Sequence, residues 1–232
     1  MEASRSAWAR MWRPMEERVL EPELLDELPF DDPAAMRSRE DLQRLNGWLG
    51  NFGWFRREIE RLGGVDGKTH VVELGAGDGT LPLGFLEKGC PLRYTAIDLA
   101  PAPENWPESR LTWCQGDALE KVEEVGGDIL FANLFLHHLT DEQLGRLGEK
   151  LAGYRAVLCN EPARWRLFHF LGRAFQMVGA NYVTRFDMHV SLNAGFRGNE
   201  VAERMGLREP EWQVRSVQTP VGFLRMIAER AS

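Results

Sequence analysis

The spacing of apolar positions along this chain changes twice. From Ser38 and Asp41 onward, apolar side chains fall at Leu42, Leu45, Trp48, Leu49, Phe52 and Phe55. They stand three or four apart, which predicts an amphipathic helix. Gly47, Gly50 and Gly53 interrupt it, and each weakens a helix. Ahead of it, Trp8, Met11 and Trp12 recur at helical spacing, and a polar, proline-punctuated stretch runs from Glu21-Pro22 to Asp32-Pro33. Residues 1–66 therefore read as an N-terminal helical cap.

From Lys68 the pattern becomes strand, helix, strand. Short apolar runs at about 70–74, at Leu92–Asp98, at Leu111–Gln115, at Asp128–Asn133 and at Ala156–Asn160 predict five strands. Helices are expected at about 80–88 and at Asp141–Leu151. Strands separated by single helices imply a parallel sheet covered on both faces. After Pro162 the helical period returns at Trp165, Phe168, Leu171, Phe175 and Val178. A loop is expected from Asn181 to Asn199, then a helix at about 198–205 closed by Gly206 as its cap. Trp212–Gln218 and Val221–Ala228 complete seven strands as a final antiparallel pair. The expected architecture is a doubly wound α/β domain over 67–232, with an insertion at about 161–199.

Composition narrows the chemistry. Over 232 residues the net charge is −7, spread diffusely, which argues against a protein that tracks nucleic-acid phosphates. Cys90, Cys114 and Cys159 are far apart and lack metal-ligand spacing. With no apolar leader at the N-terminus, they read as reduced thiols of a cytoplasmic protein. No stretch is long and apolar enough to span a membrane.

The first strand carries the most information. Val71–Leu74 runs into Gly75-Ala76-Gly77-Asp78-Gly79-Thr80, with glycines on alternate positions, and a helix follows with Pro82 in its first turn. Strand, glycine turn and helix N-terminus form a place where a ligand can approach bare backbone. An acid, Asp98, ends the second strand roughly 20 positions on, the distance expected of a carboxylate that holds a ribose diol.

Taken in order, Glu73-Leu74-Gly75-Ala76-Gly77-Asp78-Gly79, Asp98, Gly116-Asp117-Ala118 and Asp128–Asn133 resemble the class I S-adenosylmethionine-dependent methyltransferases of small-molecule type. The resemblance covers about residues 68–160 and implies a Rossmann-like fold and S-adenosylmethionine as the cofactor. It implies that Gly75, Ala76 and Gly77 give backbone to the donor, that Asp98 holds the ribose with Leu99 beside it, and that Asp117 and Ala118 take the adenine. Asn133 would line the methionine portion and Glu73 would orient its ammonium group. The rival is a nicotinamide-binding domain, whose fingerprint requires a further glycine where Thr80 stands.

The acceptor is less legible. The run Asn133-Leu134-Phe135-Leu136-His137-His138-Leu139-Thr140-Asp141 resembles the histidine-containing segment of quinone-biosynthesis methyltransferases. It does not resemble the proline-rich motif of enzymes that methylate exocyclic amines of bases. The expected substrate is a small apolar or aromatic acceptor, with O-methylation favoured. His138 and His189 are the candidate bases, since imidazole titrates near neutrality. Arg185, Asp187 and Arg197 are candidates for substrate binding, with Arg185 or Arg197 suited to a carboxylate. No acidic cluster suggests a metal. The alternative is a methyltransferase-like protein that keeps the donor site but acts as a binding or regulatory subunit.

Overall fold

The computed structural model describes residues 17–29, 32–165 and 181–231. The expected helical patterns at Trp8–Trp12 and at Phe168–Val178 lie outside the described residues, as do the side chains of Leu45 and Trp48.

Seven strands form one sheet: β1 (His70–Leu74), β2 (Arg93–Asp98), β3 (Thr112–Gln115), β4 (Ile129–Asn133), β5 (Ala156–Pro162), β6 (Trp212–Gln218) and β7 (Phe223–Arg230). Their spatial order is β3-β2-β1-β4-β5-β7-β6. The first five are parallel, and β7 is antiparallel to both β5 and β6. The chain leaves β1 toward β2 on one side and reaches β4 on the other, so the order reverses between β1 and β4. A crevice opens at the carboxyl ends of strands at such a reversal.

Alternation along β1 shows why the sheet must be covered twice. Val72 and Leu74 join one core with Ile97, Leu130, Leu119, Val122, Leu144 and Leu147. Val71 joins the other with Tyr94, Phe131, Phe55, Ile59, Leu81 and Phe85. The first core lies under α5 (Ala118–Val125), α6 (Asp141–Glu149) and α8 (Glu200–Arg204), and the second under α3 (Asn51–Arg61) and α4 (Thr80–Glu87). β1, β2, β4 and β5 are short and buried almost throughout, as burial on both faces requires.

The N-terminal helices begin earlier than their apolar spacing suggests. A four-residue α1 (Leu24–Glu27) sits within the proline-punctuated stretch, and α2 runs from Pro33 to Trp48. Asp32 accepts from the N–H groups of Ala34 and Ala35, so it marks the start, while Ser38 is buried inside the helix. Of the three expected interruptions only Gly50 breaks the chain, adopting φ +69° between α2 and α3.

One expectation is overturned. The segment taken for a loop from Asn181 to Asn199 is mostly helix: α7 spans Tyr182–Ala194. Asn181 caps it by accepting from the N–H of Val183. Its buried stripe includes Thr184 and Asp187 beside Val183 and Val190, so polar residues occupy core-facing positions and blur the apolar period. α7 packs against α1 and α2. Asn181 Nδ2 donates to the carbonyl of Ala34, and the Thr184 hydroxyl lies 3.0 Å from Ser38 Oγ and 3.1 Å from Asp41 Oδ2.

Candidate functional site

Two groups of residues meet at the carboxyl ends of β1 and β4. The first is the glycine turn. Gly75, Gly77 and Gly79 all have φ between +59° and +68°, a region that L side chains rarely adopt. They differ in what surrounds them. A Cβ on Gly75 would meet Phe135 Cδ2 at 2.3 Å, and one on Gly79 would meet Trp106 at 2.6 Å. A Cβ on Gly77 would meet nothing within 4 Å. Two glycines thus serve packing, and the middle one faces open space.

The end of β2 holds this turn in place. The carbonyl of Ile97 accepts from Gly75 at 2.9 Å, and Asp98 Oδ2 accepts from the Gly77 N–H at 2.7 Å. Asp98 Oδ1 accepts from Ala100, and the Asp98 carbonyl accepts from Gly116. Beside it Leu99 is 73% exposed, an apolar side chain with no core to join. Asp117 caps α5 through Oδ1, accepting from Leu119 and Glu120, and Ala118 is buried in that first turn. An open glycine, two carboxylates and an exposed leucine on three adjacent strand ends fit a ribonucleoside laid over the sheet.

Glu73 has a different setting. It is buried on the second core and accepts a short hydrogen bond from Tyr94 Oη. Burial pushes its carboxyl well above the usual range, outweighing the Tyr94 hydrogen bond. Asn133 is tied into a polar row: its Oδ1 accepts from Asn160 Nδ2, and Arg225 donates both to Asn160 and to the buried Asn51.

The second group surrounds the turn after β4. Leu134 has φ +55°, the one non-glycine residue with positive φ among those described. A short 3-10 turn follows at Leu136–His138. Glu161, fully buried near the end of β5, accepts from the N–H groups of Phe135, Leu136 and His137 and meets His137 Nδ1 at 2.8 Å. One carboxylate therefore fixes both the turn and the imidazole. On its other side, His137 Nε2 faces Glu23 Oε1 at 3.4 Å, and Ser191 donates to the same Glu23 oxygen. Burial alone would lower the His137 pKa, but hydrogen bonds to Glu161 and Glu23 outweigh it and raise the ring to about 9. His138 is shifted the other way, first by desolvation and then by the charge on His137, so its imidazole stays neutral near pH 7.

These residues border a cavity of about 160 Å³ whose walls include Leu42, Leu49, Leu134, Met188, Leu192 and Phe223. Its polar lining includes Glu23, Ser38, His137, His138, Thr184 and Asp187. A cavity of roughly 150 Å³ accommodates a single aromatic ring. The N-terminal segment closes over it. Arg18 donates to the carbonyls of Ala194, His137 and Leu139 and to Asp141, anchoring residues 17–29. Asp187 accepts from the N–H groups of Leu24 and Leu25, and burial lifts its pKa to about 6. Gln43 on α2 donates to Asp78 of the glycine turn. One helix thereby touches both the glycine turn and, through Leu42 and Leu49, the cavity.

The structure does not bring every candidate side chain here. His138 and Asp187 line the cavity. Arg185 and His189 lie on the opposite, exposed side of α7, because Thr184, Asp187, Met188 and Ser191 take its inner face. Arg197 follows α7, half-buried, where its N–H donates to Glu200. Glu23, His137 and Glu161 are the functional-looking residues that reading the sequence did not single out. Glu161 carried a usable sign: an acid directly beyond the apolar run of a parallel strand.

No model of a known protein family matches this chain, and neither does any curated protein. Solved structures do match. The pyocyanin biosynthetic protein PhzM is 22% identical with a TM-score of 0.56, covering 87% of this chain and 60% of its own. The plantazolicin methyltransferase BamL, solved with a triazolic desmethylPZN analog and SAH, is 7% identical with a TM-score of 0.65, covering 87% and 92%. Human N-acetylserotonin methyltransferase, solved with SAM, is 15% identical with a TM-score of 0.55, covering 89% and 61%. The chain thus spans about three-fifths of the length of the first and third, and nearly all of the second. At such identities the likeness is one of architecture, and the chain has the fold of the class I S-adenosylmethionine-dependent methyltransferases.

Proposed function

We propose that this chain is an S-adenosylmethionine-dependent methyltransferase acting on a small apolar or aromatic acceptor, with an oxygen as the favoured methylated atom. One observation carries the reading. The glycine turn, open at Gly77, packs at Gly75 against Phe135, and the residue before it, Leu134, lines a largely apolar cavity with an imidazole in its wall. Donor and acceptor sites that share a wall are what an in-line displacement needs.

S-adenosylmethionine would supply a methyl group activated as a sulfonium. Gly75, Ala76 and Gly77 offer it backbone, Asp98 and Leu99 take the ribose and its neighbourhood, Asp117 and Ala118 take the adenine, and Asn133 borders the methionine portion. The acceptor would sit among Leu42, Leu134, Met188 and Leu192. There His138, neutral at working pH, accepts the proton that the acceptor hydroxyl gives up. The fixed positive charge on His137, held by Glu161 and Glu23, favours the negative charge growing on the acceptor oxygen. In this reading residues 1–66 form a cap that excludes water, and 161–199 form the other wall. Among the described residues no arginine borders the cavity, and this supports an acceptor that is an uncharged ring or one bearing a hydroxyl.

Calorimetry with S-adenosylhomocysteine is the direct test. One molecule should bind per chain. Folded protein that binds none would overturn the reading. Turnover of a panel of phenols then separates a transferase from a protein that only binds the donor.

A further inference from the structure

Three possible metal-ligating atoms converge outside the glycine turn. Glu23, His137 and His138 each present a ligating atom, and the three lie within 4.8 Å of one another. The two nitrogens of His137 make an instructive pair. Nδ1 meets Glu161 at 2.8 Å, an ordinary charge-assisted hydrogen bond. Nε2 stands 3.4 Å from Glu23 Oε1, a longer and weaker contact. That distance is the edge expected between two ligands of a tetrahedral ion with bonds of roughly 2.1 Å.

The surroundings are those of a ligand set. The Nδ1 contact to Glu161 fixes the ring and aims Nε2 outward, the arrangement in which a carboxylate supports a metal-bound histidine. Glu161 is itself immobilised by three backbone N–H groups. The His138 ring lies 4.2 Å from that of His137, and Asp26 Oδ2 is 3.7 Å from His138 Nδ1, so a second carboxylate is within reach. A second void of about 350 Å³ opens on this side, bordered by Pro22, Glu23, Asp26, His137, His138 and Val190. It has room for an ion with bound water.

We infer that Glu23, His137 and His138, with Asp26 as a fourth ligand, form a binding site for a divalent transition-metal ion of zinc-like preference. Mixed imidazole and carboxylate ligands suit zinc and its neighbours rather than calcium or magnesium. The ion takes the place of the proton on His137 and clasps the N-terminal segment, through Glu23 and Asp26, to the turn after β4. This goes beyond methyl transfer. For a protein that uses His138 as base, a loaded site engages that lone pair and slows turnover.

The test is titration of chelator-treated full-length protein with Zn²⁺ by calorimetry, with Co²⁺ absorption as a second readout of nitrogen ligation. One equivalent should bind. Glu161→Gln should weaken it roughly 10- to 100-fold, as loss of a supporting carboxylate does. Glu23→Gln, a change on the N-terminal segment outside the sheet, should weaken it at least as much, and His189→Ala should leave it unchanged. No binding of Zn²⁺ by the native protein, or equal binding by native protein and Glu23→Gln, overturns the site. S-adenosylhomocysteine affinity measured on the same samples is the separate check on the donor reading, so the two can fail independently.

Discussion

The proposed donor end and the proposed acceptor end of this molecule are built in different ways. Around the glycine turn each chemical group sits at the end of a strand and is held by the adjoining strand end or by the residues that follow it: Asp98 by Gly77 and Ala100, Asp117 by Leu119 and Glu120. Around the cavity the contacts are distant in sequence. His137 meets Glu23 from 114 positions away, and Asp187 caps Leu24 from 163 positions away. The first kind of site is a local motif on a sheet. The second exists only once residues 17–29, the turn after β4 and α7 have come together.

The largest effect is expected at the residue that fixes the second kind. Glu161→Ala removes an acceptor from three backbone N–H groups and leaves the His137 charge without its nearer carboxylate. Breaking a buried pair in this way costs about 3–5 kcal/mol. Urea unfolding should show a loss of that size. A change below about 1 kcal/mol would mean that the acceptor end does not depend on this carboxylate.

The glycines offer the corresponding test of the donor end. Gly75→Ala drives a Cβ into Phe135 and keeps a positive φ, so it should cost about 2–4 kcal/mol by overpacking and strain together. Gly77→Ala meets no neighbour and should cost only about 1–2 kcal/mol of backbone strain. It should nonetheless weaken S-adenosylhomocysteine binding more than its stability loss suggests, because the new methyl enters the open space. If the two alanines behave alike in both measurements, the assignment of packing to one and ligand approach to the other is wrong.

Asp98→Ala comes next. The carboxylate holds the Gly77 N–H and is proposed to hold the ribose. Hydrogen bonds to a charged group contribute about 1.5–3 kcal/mol each. Donor affinity should fall roughly 10- to 100-fold, with turnover at saturating donor much less affected. Unchanged affinity removes the ribose role and leaves Asp98 as a structural acid.

These contrasts also show what sequence could reveal. The sheet was legible because short apolar runs bounded by Gly75, Asp98, Gly116 and Asn133 repeat a pattern that only a doubly covered parallel sheet uses. All five parallel strands lie within two residues of where that pattern puts them, and the final antiparallel pair is present with β7 shifted by two. α7 was not legible, since its inner face carries Thr184, Asp187 and Ser191 in place of apolar residues. Polar groups on an inward face look like loop until the partners that satisfy them are known. For Asp187 those partners are the N–H groups of Leu24 and Leu25. Nor could the sequence distinguish His137 from His138. Adjacent positions on a tight turn point differently, and only the placement of Glu161 decides which ring is buried.

The smallest expected change is at His189, and it is read against His138, the other histidine first considered as a base. His138 borders the cavity with its side chain 32% accessible, and His189 lies on the outer side of α7. On a responsive phenol, His138→Ala should lower kcat roughly 100-fold, the lower part of the usual range for a lost general base, with donor affinity unchanged. His189→Ala should leave kcat within about twofold, as substitutions on an exposed face do. Restoration of the His138→Ala rate by added imidazole would show that the missing group acts by taking a proton and not by shaping the wall. Should His189→Ala prove the slower variant, α7 would have to present its other face to the acceptor, and the division between the two ends of the molecule drawn from the cavity lining would not hold.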